Sequence, residues 1–72
     1  MPQASIDPFL DRESVFVHAT VNGRQVVIGS VERMTHQPFW EALDKLGHVC
    51  GHASEKSDAI ALVRANWEIE TP

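Results

Sequence analysis

Asn22-Gly23 constrains the chain more than any other pair of residues. It stands between two runs rich in β-branched side chains, VFVHATV before it and RQVVIGSV after it. Both central residues of a type I′ turn need positive φ, which Asn and Gly adopt at the least cost, and that turn matches the twist of its flanking strands. Val15 to Val31 is therefore expected to be a β-hairpin. A two-residue loop sets the register: Val21 faces Arg24, Ala19 faces Val26 and Val17 faces Ile28. Side chains alternate along a strand. Val15, Val17, Ala19, Val21, Val26 and Ile28 are then expected on the core face. Phe16, His18, Thr20, Gln25, Val27, Gly29 and Val31 are expected on the other.

A second hairpin is expected over Trp40 to Ala53. Asp44-Lys45-Leu46-Gly47 has the type I preference, Asp first to bond the turn backbone and Gly fourth to tolerate positive φ. This places Ala42 opposite Cys50 and Trp40 opposite His52. Ser54 then stands as the N-cap of a helix, with Ile60, Val63 and Trp67 at helical spacing and Ala59 and Leu62 widening the stripe. A rival reading starts a short helix at Pro38, puts Phe39, Ala42, Leu43 and Leu46 on one face and stops it at Gly47. The fold class expected is α+β, an antiparallel sheet of three or four strands with one C-terminal helix across one face. A β-hairpin with two helices is the alternative.

The chain of 72 residues has room for one domain. The domain is expected over 15–67, after a flexible arm over 1–14 and before a tail over 68–72; across that boundary Trp67-Glu68-Ile69-Glu70 alternates and reads as a short extra strand or a tail. Ile6, Phe9 and Leu10 are the arm's apolar residues. Ten acidic against six basic residues give a net charge of −4, with both signs interspersed. A phosphate binder needs clustered Lys and Arg, and no such block exists. The single cysteine, Cys50, excludes an internal disulfide. No apolar run has membrane length and no signal pattern opens the chain. A cytoplasmic protein with no membrane association is expected.

Three places invite a chemical reading. His48, Cys50 and His52 alternate and on a strand would share one face, with ligand types that suit zinc. Asp44 or His36 would be the fourth ligand. Three positions on one strand converge poorly on a tetrahedral ion, so Cys50 as a small core hydrophobe competes with this reading. Cys50 beside a histidine is also the beginning of a thiol nucleophile, but no base, orienting acid or oxyanion site accompanies it. No enzyme activity and no cofactor are expected. The third place is the open sheet face. Phe16, His18, Val27 and Val31 from the first hairpin, with Leu43 and Val49 from the second, would form a patch more apolar than a solvated face and suited to a partner.

Gly29, Val31, Trp40, Ala42, Gly47, Gly51, Ser54, Ala59 and Ile60 follow a spacing that resembles small bacterial and phage domains. In those a hairpin is followed by a W-x-A strand, a Gly turn, a strand ending in Gly, and a capped helix. The resemblance covers about residues 15–65. A similar plan occurs in Apetala-type and integrase arm-binding DNA domains, whose three-stranded sheets carry Arg and Lys on the face that reads DNA. Here that face carries Phe16, His18, Thr20, Gln25 and Val27. The resemblance implies a fold and carries no functional residue across. The function expected is a non-catalytic protein-interaction module that self-associates through its open sheet face or meets another protein there. A DNA-binding module of the arm-binding type and a zinc-stabilised module are the alternatives.

Overall fold

A computed structural model describes residues 12–70 of the chain. Four strands, β1 (Arg12–Val21), β2 (Arg24–Met34), β3 (Trp40–Asp44) and β4 (Val49–Ala53), precede one helix, α1 (Lys56–Glu70). The strands form a single antiparallel sheet in the order β1-β2-β3-β4. The fold is α+β, with the helix packed on one face of the sheet. The expected arm lies outside the described residues up to position 11, and Arg12 to Ser14 already belong to β1. The expected tail is corrected too, because α1 continues through Glu68 and Ile69 to Glu70.

The Asn22-Gly23 turn forms as expected, with φ of 51° and 78°. Val21 faces Arg24 and Ala19 faces Val26. The register then departs from expectation. His18 pairs with Val27 but Val17 pairs with Gly29, so Ile28 is an extra residue in β2. A bulge of this kind carries the following residues onto the opposite face. Gly29 and Val31 thus turn toward the helix, and Val31 is fully buried. Val31 is therefore a core residue and not part of the open face.

The segment after Pro38 is a strand, which sets aside the rival helix. Here cross-strand pairing outweighs the helix propensity of Glu, Ala, Leu and Lys. A second bulge shifts this hairpin as well. Leu43 faces Val49, yet Ala42 faces Gly51 and Trp40 faces Ala53, which leaves Cys50 as the extra residue. The N-cap position falls to Glu55, one residue beyond Ser54, and its carbonyl accepts the Ala59 N–H at 3.1 Å.

The core lies between the sheet and α1. Val17, Ile28, Val31, Trp40 and Ala42 from the strands meet Ala59 and Val63 from the helix. Full burial of a Val or Ile side chain contributes about 1.5–3 kcal/mol, so Val17, Ile28, Val31 and Val63 are its aliphatic anchors. Trp40 closes one end, with the Arg33 guanidinium 5.5 Å and the Lys56 ammonium 5.6 Å from its ring centroid.

Candidate interaction surface

The face of the sheet away from α1 is built by the two hairpins together. Register connects Phe16 to Ser30, Ser30 to Leu43 and Leu43 to Val49, so these four side chains form one row across all four strands. At about 4.8 Å between strands the row spans roughly 14 Å. Phe16 is 67% exposed, Val49 50% and Val27, opposite His18, 46%. Leu46, at the tip of the β3–β4 turn, is 73% exposed. Phe16, Val27, Ser30, Lys45 and Leu46 line one shallow depression with the backbone of that turn. The sequence places Leu46 in the Asp44–Gly47 turn and does not join it to the open-face patch. An apolar residue at the exposed tip of a turn was the available signal.

A polar row runs beside the apolar one. Ser14, Glu32, Glu41 and His52 are connected by the same register. Arg12 Nη1 lies 3.5 Å from Glu32 Oε1 and His52 Nε2 lies 3.6 Å from Glu41 Oε2. Phe39 stands edge-on to the His52 ring, 5.1 Å between centroids. The open face is thus divided into an apolar half toward the β3–β4 turn and an acidic half toward the other end. Its arginine is already engaged by a carboxylate.

Asp44 holds the turn that carries Leu46. Its Oδ1 accepts the Leu46 and His48 N–H groups, each at 2.9 Å. Its backbone N–H donates to the His48 carbonyl at 2.9 Å and its carbonyl accepts the Gly47 N–H at 3.0 Å. Gly47 supplies the positive φ of 88° that closes the loop. The His48 N–H is the chief reason the Asp44 carboxyl sits below its ordinary pKa. Partial burial opposes this, and the Leu46 N–H and the His48 ring add to it.

The three candidate zinc ligands are not brought together. The bulge at Cys50 breaks the alternation that was to align them. Cys50 packs against the core, its Sγ donating to the Ala42 carbonyl at 3.4 Å. His52 stands on the open face with Glu41. His48 sits on the turn, its Nδ1 3.7 Å from Asp44 Oδ2. His36 is exposed in the β2–β3 connection. Among the described residues no three His, Cys, Asp or Glu side chains cluster closely enough to hold a metal ion.

Compared with protein-family models, curated proteins and solved structures, the chain matches none of them. Among the described residues no helix is long and apolar enough to cross a membrane.

Proposed function

We propose that this chain is a non-catalytic protein-interaction module whose open sheet face is buried against another protein surface, a second copy of the chain being the simplest partner. One observation carries the reading. The row from Phe16 to Val49, apolar except for Ser30 and extended by Val27 and Leu46, covers one half of a sheet face that α1 leaves bare. Single exposed apolar residues are ordinary. A contiguous group on one face is what interfaces use. The ion pairing of Arg12 with Glu32 and the net charge of −4 favour a protein over nucleic acid as the partner. Cys50 is the single cysteine of the chain, which suits a reducing, cytoplasmic setting.

Sedimentation equilibrium across a concentration series tests this. The wild-type mass is expected to rise with concentration, and Val49→Glu and Val27→Glu are each expected to weaken association at least tenfold with an unchanged circular dichroism spectrum. Association indifferent to both substitutions would remove the open face from the interface. Chelator is expected to leave the mass unchanged, because the reading requires no metal.

A further inference from the structure

Among the described residues β1 is an edge strand of ten residues, and its outer edge has the features of a strand-docking site. The type I′ turn makes Val21 and Arg24 the closing hydrogen-bonded pair, so odd-numbered residues of β1 direct N–H and C=O toward β2. Even-numbered residues direct theirs outward. The geometry agrees, since Arg64 Nη1 reaches from α1 to donate to the His18 carbonyl at 2.9 Å. Edge strands usually escape pairing through Lys, Pro, inward charges, bulges or short length. From Ser14 to Val21 the chain has no lysine, proline or carboxylate, and the bulge belongs to β2. The opposite edge is different, because β4 is five residues long and bulged at Cys50. The helix packs mainly over β2, β3 and β4, which leaves β1 standing clear of the helical layer.

We propose that β1 pairs antiparallel with β1 of a second copy, about a twofold axis through Val17. This interface is separate from the open face. Complementarity selects the register. With the axis at Val17, Phe16 lies opposite the partner's His18, Ser14 opposite the partner's Thr20, and Val15 opposite the partner's Ala19. These are aromatic, hydroxyl and apolar cross-strand pairs, each of a favourable kind. Glu13 lies opposite the partner's Val21, with the partner's Arg24 next in the row and within side-chain reach. The outward-facing even residues then exchange both backbone bonds, which requires Arg64 to release the His18 carbonyl. Glu13 is already paired with Arg33 of its own chain at 2.8 Å, so the register rests on the cross-strand pairs: an axis at Phe16 sets Ser14 against histidine and one at Val15 sets it against phenylalanine, and both lose the hydroxyl pair. Pairing at Val17 joins the two sheets into one, places both helices on the same side and brings both apolar rows onto one continuous face.

Cross-linking tests the register in the full chain with Cys50→Ala. Ser14→Cys and Thr20→Cys are made separately, then oxidised mildly alone and mixed. The mixture is expected to give at least tenfold more cross-linked dimer than either variant alone, because each residue faces the other type across the axis. Equal yields in all three samples, self-linking of one variant, or no cross-link at millimolar protein would overturn the proposal. Ser14→Pro provides an independent arm, since it removes an outward N–H and no ladder bond. Sedimentation is expected to show association weakened at least tenfold with an unchanged circular dichroism spectrum. Loss with Val49→Glu but not with Ser14→Pro would sink the edge and leave the open-face reading standing. Loss with Ser14→Pro but not with Val49→Glu would do the reverse.

Discussion

At the scale of single residues, two glycines in the sheet behave differently although the sequence makes them look alike. A Cβ on Gly29 would lie 2.6 Å from Val63 Cγ1 and closer still to the Leu43 carbonyl oxygen. Backbone cannot yield as a side chain can, so Gly29→Ala must push β3 or the helix away. A Cβ on Gly51 would meet Leu62 Cδ1 at 3.0 Å, the far end of a flexible side chain. Gly29→Ala is expected to cost about 2–3 kcal/mol, toward the upper end for overpacking, and Gly51→Ala under about 1 kcal/mol. Urea unfolding midpoints check the contrast, and equal losses would contradict it. Asp44 makes a second residue-scale prediction. Its folded pKa is depressed, chiefly by the His48 N–H. Its contribution to stability is therefore complete above the unfolded aspartate value near pH 4. That contribution is lost as pH falls through the lower folded value. Asp44→Asn is expected to lower the urea midpoint at pH 7, by a margin that narrows as pH falls below the unfolded aspartate value. A gap that persists undiminished at pH 2 would show that the carboxylate charge is not what the turn uses.

At the scale of elements, the sequence carried the kinds of element better than their alignment. Asn22-Gly23 and Asp44 to Gly47 identified both turns, because positive φ and side-chain bonding to the turn backbone are local properties. The bulges at Ile28 and Cys50 were not legible. Each is set by what lies across the sheet: Gly29 has to admit the helix, and Gly51 has to admit Leu62. These two insertions explain why Val31 moved from the expected open face to the core, and why His48, Cys50 and His52 do not share a face. Phe16, His18, Val27, Leu43 and Val49 kept their places because the open face is read by simple alternation outside the bulged positions. Arg64 could not have been singled out at all, since its partner, the His18 carbonyl, is 46 residues away in the chain. Its position at the β1 edge yields an element-level prediction. The guanidinium occupies a carbonyl that strand pairing would use, and a net hydrogen bond contributes about 1 kcal/mol. The symmetric dimer involves two such carbonyls, so Arg64→Ala is expected to tighten self-association by about 2 kcal/mol, roughly thirtyfold, in a sedimentation series. A weaker dimer would mean that Arg64 supports the edge and does not guard it.

At the scale of the whole molecule, charge decides between the surviving kinds of partner. Two copies at −4 each repel one another at long range, whereas the contacts proposed between them are apolar or between backbone groups. Salt shortens the range of that repulsion, to about 8 Å at physiological ionic strength and about 3 Å at 1 M. It weakens apolar and backbone contacts far less. Association of this chain with itself is therefore expected to tighten as sodium chloride rises from 0.05 to 0.5 M, by roughly threefold or more given the screening range. Binding to a DNA duplex would respond in the opposite sense, because it releases counterions and weakens steeply with salt. One titration therefore serves both readings: sedimentation of the protein alone, and fluorescence anisotropy of a labelled duplex with protein, over the same salt series. Tighter self-association with no duplex binding at low salt supports the interaction module. Duplex binding that fades with salt, in a chain whose own mass stays monomeric, would return the resemblance to arm-binding domains to first place. It would require the open face to meet phosphates despite Glu32 and Glu41.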